Sequence, residues 1–123
     1  MLRFDLSAAD LPASWREIRV QGELDLATSG PLAEALESAV SARRNVLLDL
    51  CACEFIDSTG IALILHAARR LAGQGRVLRL LAEGLAVTRQ LGILGLIDTP
   101  LVAATREQAL AELPGGGGRR LAA

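Results

Sequence analysis

Residues Val46-Leu47-Leu48-Asp49-Leu50-Cys51 form an apolar run interrupted only by Asp49. A half-solvated strand alternates apolar and polar residues, whereas a strand covered on both faces is apolar at nearly every position. The run therefore predicts a central strand with other elements packed above and below it, which restricts the chain to an α/β architecture. The next segment has a different period. After the polar turn Asp57-Ser58-Thr59-Gly60, residues Ile61, Ile64, Leu65, Ala68 and Leu71 recur at helical spacing. Gly73-Gln74-Gly75 ends that helix.

The flanking segments supply the remaining elements. Leu2, Phe4 and Leu6 alternate with Arg3 and Asp5, as in a half-buried strand. After a turn around Asp10-Leu11-Pro12, Trp15 to Val20 reads as a second strand with Ile18 and Val20 on one face and Gly22 at its end. Thr28-Ser29-Gly30-Pro31 combines capping residues with a proline near the first helical turn, and Leu32, Ala35, Leu36, Ala39 and Val40 mark one face of a helix that runs to about Ser41. Val77 to Leu81 predicts another strand. Val87, Leu91 and Leu94 mark a shorter helix closing near Gly92 or Gly95, and Ile97 to Ala103 contains a short edge-like strand interrupted by Pro100. Thr105-Arg106-Glu107-Gln108 has the form of a capping box, with Ala109, Leu110 and Leu113 in a last helix stopped by Pro114.

These elements predict a single α/β domain over residues 1–113, with a mixed sheet of about four to five strands and about four helices mainly on one face. Right-handed crossovers place the helices after Pro31 and after Ser58 on the same face. Residues 114–123, with glycines at 115–118 and no periodicity, are expected to be a flexible Gly-rich tail. A phosphate loop there would need a preceding strand and a following Gly-Lys-Ser/Thr, and neither is present.

Composition removes several classes of function. Aromatic residues are only 2% of the 123, so Leu, Ile, Val and Ala must fill the core. A formal net charge of −1 argues against nucleic acid as a partner, because phosphate-backbone binding needs a basic patch. No apolar run approaches the roughly 20 residues that span a bilayer, and the first residues lack the layout of a secretion signal. A soluble, cytoplasmic protein with no membrane partner is expected. Cys51 and Cys53 are expected on opposite faces of a strand end, where a disulfide between them is geometrically poor; buried, inert thiols are the reading. His66 has no Cys, His or carboxylate at ligand spacing, so neither a metal nor a cofactor is expected.

Ser58 stands between the buried strand and the amphipathic helix. A hydroxyl there lies beside free N–H groups and the positive end of the helix dipole, where a phosphate can be accommodated. The competing reading is an ordinary N-cap, which Asp57, Ser58 or Thr59 could each provide alone. Gly60 removes a side chain beside the hydroxyls and would let another protein approach. No catalytic residue is expected: a nucleophile elbow needs glycine two positions before the serine, and Ile56 is there. His66 lies eight residues further along the same helix, about 12 Å along its axis, too far to take the Ser58 proton. It is expected to face solvent or an interface, and Leu63 is expected to be an exposed leucine one turn beyond Ser58.

Asp57-Ser58-Thr59-Gly60 resembles the signature of the anti-sigma-factor antagonists, the bacterial STAS-domain family, and Gly22-Glu23-Leu24-Asp25 resembles a second signature of it. The resemblance covers roughly residues 15 to 113. It implies that Ser58 is the phosphorylated residue, that Asp25 lies near it, and that Asp25, Asp57, Ser58, Thr59, Gly60 and Leu63 belong to the partner-binding surface. A polar residue at Asp49 also fits the family, in a structural role. The implied function is partner switching without catalysis by this chain. The unmodified domain binds an anti-sigma factor that is also a serine kinase and so releases a sigma factor; phosphorylation at Ser58 ends the binding, and a PP2C-type phosphatase resets it. The alternative is a STAS scaffold or transport-accessory subunit that works independently of phosphorylation.

Overall fold

The apolar run lies inside β3 (Asn45–Ile56), which is held between β2 (Trp15–Leu24) and β4 (Leu78–Leu81) in parallel pairing. The computed structural model describes residues 3–111. β1 (Asp5–Leu11) pairs antiparallel with β2 at the outer edge, giving a mixed sheet of order β1-β2-β3-β4. The helices are α1 (Ser29–Ser41), α2 (Ser58–Ala72), α3 (Leu85–Ile93) and α4 (Arg106–Ala111).

Both faces of β3 are covered, which is why the run is apolar at every position but Asp49. Val46, Leu48 and Leu50 join Ile18, Val20 and Leu24 of β2 beneath Leu32 and Leu36 of α1, Ile61 and Ile64 of α2, and Val87 and Leu91 of α3. On the other face a smaller cluster joins Leu47 and Trp15 to Leu81 and to Ala109 of α4. Three helices thus pack on one side and one on the other. The polar exception, Asp49, is half-buried on the α4 side, where its carboxylate accepts from Cys51 N at 2.9 Å.

Several elements depart from the reading of the sequence. Gly22 does not end β2; it sits inside the strand at φ 94°, and pairing continues to Leu24↔Ile56. The ladder shifts register between Arg19 and Gln21 and again between Gly22 and Glu23, so β3 carries extra residues relative to β2. The first irregularity also separates the cysteines. Residues two apart on a regular strand share a face, yet Cys51 packs with the α4-side cluster and Cys53 with the larger core. Both thiols are free. Burial and the neighbouring Asp49 push the Cys51 thiol up to about 12, and burial raises that of Cys53, so neither is a thiolate at neutral pH. Cys51 is half-buried rather than buried.

Leu94 is exposed, because α3 ends at Ile93 and turns it outward. The edge strand expected at 97–103 reduces to a single parallel bridge between Val102 and Leu80. The capping box forms at Thr105, which accepts from Gln108 N at 3.0 Å, while the Gln108 side chain reaches Ala104 N instead of Thr105 N. Leu113, Pro114 and the expected tail at 114–123 lie outside the described residues.

α4 is fastened by a carboxylate. Glu17, only 6% exposed, receives both terminal nitrogens of Arg106, one at 2.7 Å, and Arg19 Nε at 3.1 Å. The Arg106 hydrogen bonds hold its carboxyl below the usual value of 4.5, against the opposing effect of burial. A depressed carboxyl pKa contributes stability that is present above the ordinary value and is lost as pH falls through the lowered one. Glu17→Gln is therefore expected to cost about 1 kcal/mol at pH 7, a small figure because Arg106 is partly solvated. The gap to wild type should close as pH falls below about 4.5. Thermal melts from pH 7 to 3 check this; an unchanged gap across that range would remove Glu17 from the acid response.

Candidate functional site

β3 ends on Ile56, 2% exposed, and the chain turns out of the sheet at Asp57. Asp57 N donates to Leu24 O at 3.1 Å, which extends the β2–β3 pairing to the first residue of the turn. Asp57 is the N-cap of α2: its backbone is extended, and Oδ1 accepts from Thr59 N at 2.9 Å and Gly60 N at 3.2 Å. Ser58 is the first helical residue and is exposed. Its hydroxyl makes no hydrogen bond to any described residue.

This geometry revises two expectations about the helix start. The Thr59 and Gly60 N–H groups are not free for an added anion, because the Asp57 carboxylate holds both. A charge on Ser58 would stand beside that carboxylate. Gly60 does not open space for a visitor. It is buried, and a Cβ there would lie 2.9 Å from Cγ and Cδ2 of Leu24 and 3.0 Å from Cγ1 of Ile56. Its missing side chain lets β2 pack against the helix start. Thr59 is half-buried beside it.

The Gly22-Glu23-Leu24-Asp25 segment leaves β2 next to this helix start. Asp25 Oδ1 accepts from Thr28 N at 3.1 Å and from Thr28 Oγ1 at 3.2 Å, and Thr28 Oγ1 also donates to Glu23 O at 2.7 Å. Thr28 is thus the N-cap position of α1, but its hydroxyl braces the preceding turn and does not cap the helix. The carboxylate of Asp25 is turned to Thr28, and no hydrogen bond joins it to Ser58.

Leu63 is half-buried, not exposed. It lines a groove of about 150 Å³ between α1 and α2 with Leu36, Val40, His66 and Arg70. Arg70 forms a bidentate ion pair with Glu37 across that groove, and exposed His66 stands beside it. Among the described residues no group of three or more His, Cys, Asp or Glu could hold a metal ion, and no helix is long and apolar enough to cross a membrane.

The exposed apolar residues near Ser58 are others, and reading the sequence missed them. Leu26 is 75% exposed after β2, Phe55 44% exposed at the penultimate position of β3, and Leu85 71% exposed at the first position of α3. The available signal was an apolar residue directly after an acidic or turn-forming one: Leu26 after Asp25, Phe55 after Glu54 and Leu85 after Gly84.

The family model described as "Mlab, STAS domain" matches residues 8–114. The chain is a STAS-domain protein. The curated anti-sigma-F factor antagonist RsfB of Mycobacterium tuberculosis is 33% identical to it over 100 residues, 80% of this chain and 81% of RsfB. Among solved structures, an anti-sigma factor antagonist from Mycobacterium paratuberculosis superposes with TM-score 0.78 at 25% identity, covering 88% of this chain and 92% of that one. The phosphorylated form of the Bacillus cell-fate determinant SpoIIAA superposes with TM-score 0.68 at 22% identity, covering 86% of this chain and 96% of that one. At that identity the second likeness concerns the fold only. The STAS domain of this chain thus shares its sheet and helix order with these antagonists.

Proposed function

We propose that this STAS domain is an anti-sigma factor antagonist switched by phosphorylation of Ser58. The unmodified domain docks on an anti-sigma factor through the edge that carries Asp25, Asp57, Ser58 and Thr59, with Gly60 packed beneath it against Leu24 and Leu63 half-buried behind it, and so releases a sigma factor. The anti-sigma factor acts as a serine kinase: the Ser58 oxygen attacks the γ-phosphorus of ATP, the hydroxyl proton is lost and ADP leaves. A PP2C-type phosphatase hydrolyses the phosphoserine and restores the first state. The chain is a substrate in both steps and contributes no catalytic group of its own. It works in the cytoplasm, as a sigma-factor regulator must.

The observation that carries the reading is the Ser58 hydroxyl itself, exposed at the first helical position with no partner to hold it, while its neighbour Asp57 does the capping. A residue kept only for capping would be bonded to the backbone, as Asp57 is. The names of RsfB and of the M. paratuberculosis protein support the same class of partner. The alternative, a phosphorylation-independent scaffold or transport-accessory subunit, is favoured only by the "Mlab" description of the family model.

Incubation of the purified protein with each anti-sigma factor of the source organism and ATP, followed by mass spectrometry of the intact chain and its peptides, tests this. One phosphate on Ser58, absent in Ser58→Ala, is the expected result. Phosphate on another residue, or none with any of them, sinks the switch.

A further inference from the structure

The two outer strands of the sheet end it differently. β4 is closed on its outer side by the chain that follows α3: Leu80 N donates to Leu101 O at 2.7 Å, and Ala103 N donates to Leu80 O at 2.9 Å. β1 is open. Its seven residues all pair with β2 in one unbroken register, and no described segment pairs with its other side. At about 3.4 Å per residue that leaves about 24 Å of strand edge with unpaired main-chain N–H and C=O groups. Edge strands are ordinarily protected by lysine, proline, a bulge or extreme shortness. Asp5-Leu6-Ser7-Ala8-Ala9-Asp10-Leu11 has none of these. Of its two carboxylates, that of Asp10 is already neutralised, with Arg16 Nε at 2.6 Å and Arg44 Nη2 at 3.4 Å.

The strand is also matched to its own reverse. A two-fold axis through Ala8, perpendicular to the sheet, pairs Ala8 with Ala8, Ser7 with Ala9, Leu6 with Asp10 and Asp5 with Leu11. Every residue of the strand is then used, each carboxylate stands opposite a leucine, and no like charges face each other. The centre consists of small exposed side chains, so nothing holds the two backbones apart. Small residues continue onto the helix-covered face. A groove of about 370 Å³ runs beside β1, lined by Ala8, Ala9, Asp10 and Arg16 and by Ala35 and Ser38 of α1. The two-fold axis keeps the α1 helices of both copies on that face, with this groove as the space between them. A foreign strand could use the same open groups, but it would have no reason to match the pattern about Ala8.

We infer that β1 is a homodimer interface, at which two copies pair their β1 strands antiparallel about Ala8 and join two four-stranded sheets into one. The pairing supplies about six to eight main-chain hydrogen bonds, depending on whether Ala8 or its neighbours face outward. A single strand pair with a few small helix residues buries less than a standard interface, so the dimer is weak and depends on concentration. β2 of one copy then runs antiparallel to β2 of the other, which sends the two Ser58 sites to opposite ends of the joined sheet. Pairing therefore leaves both sites open and does not rest on the function proposed above.

Sedimentation equilibrium of the full chain from about 5 to about 500 µM, with amide hydrogen exchange at both ends of that range, tests this. Wild type is expected to pass from monomer to dimer, with slower exchange in residues 5–11 at the higher concentration. Ala8→Lys and Ala8→Glu each place like charges on the axis at an exposed position, and each is expected to weaken dimerisation at least about tenfold. An equimolar mixture of the two is expected to restore the dimer, because opposite charges then meet. Ser58→Asp is expected to dimerise like wild type. A monomer at every concentration overturns the inference and leaves the edge to another protein. A dimer that both charged variants retain, or that Ser58→Asp dissolves, has its interface elsewhere and also overturns it. Charged variants that stay monomeric when mixed overturn the pairing about Ala8. Slow exchange of β1 at all concentrations, lost on deletion of residues 115–123, makes the tail the occupant and overturns the dimer. If a charged variant melts far below wild type, the exchange of wild-type β1 decides alone, and its indifference to concentration overturns the inference.

Discussion

Phosphorylation of Ser58 is expected to weaken binding to the anti-sigma factor about a thousandfold, and Ser58→Asp about a hundredfold. The free domain should keep its melting temperature within about 5 °C in both forms. The two halves of this expectation come from the same side chain in two surroundings. In the free domain Ser58 is exposed, so a phosphate there stays hydrated and its repulsion from the Asp57 carboxylate is screened by water. The sign is destabilising, because the first-turn N–H groups that would have welcomed the anion are already bonded to Asp57. In the complex the same phosphate lies at the centre of a dry contact. Desolvating it there costs several kcal/mol, and each 1.4 kcal/mol is about a factor of ten. Calorimetric titration of the three forms, with thermal melts in parallel, separates these effects. Equal affinities would defeat the switch; a melting temperature lowered by tens of degrees would show that phosphate acts by unfolding the helix start.

What was legible in the sequence was what burial imposes. The all-apolar stretch of β3, the i, i+3, i+4 stripe of α2 and the capping residues of α4 each obey a local rule, and each appears where its pattern places it. What escaped was set by contacts across the fold. Gly22 reads as a strand end because glycine weakens a strand, but here the strand needs a residue at φ 94° to pass through a register shift. Leu94 continues the stripe of α3 on a helical wheel, yet the helix stops one residue short of it.

The site divides in the same manner. The position of Ser58 at a helix start was readable from its neighbours. The role of Gly60 was not, since nothing local indicates that Leu24 from another strand fills its place. Leu63 looked exposed because one helix considered alone shows only its own apolar stripe; α1 covers the next face and half-buries it. That Leu26, Phe55 and Leu85 stand at the exits of neighbouring strands could be seen only once the strand order was known, because 29 and 30 residues separate them along the chain.

Gly22→Ala is expected to destabilise the domain by about 3 kcal/mol, lowering its melting temperature by about 15 °C. Two costs add at this residue. At φ 94° an L side chain is strained, and the new Cβ would lie 2.8 Å from Arg3 O, 3.0 Å from Phe4 Cα and 3.1 Å from Arg3 C. All three are backbone atoms, so no rotamer change can relieve the contact; β1 must move away from β2. Gly75 provides the control. It has φ 73° but nothing within 4 Å of its would-be Cβ, so Gly75→Ala carries the backbone strain alone, about 1 kcal/mol. The damage at Gly22 should extend beyond stability. The residues after it hold Leu24 against Gly60, brace the turn through Asp25 and Thr28, and lead into the exposed Leu26. Amide hydrogen exchange of Gly22→Ala should therefore speed up in β1 and in residues 22–28 before it does in β4. Melting temperatures of Gly22→Ala and Gly75→Ala that coincide would mean that β1 yields freely at its start, and the close packing of Arg3 on Gly22 would then contribute nothing to the position of the edge.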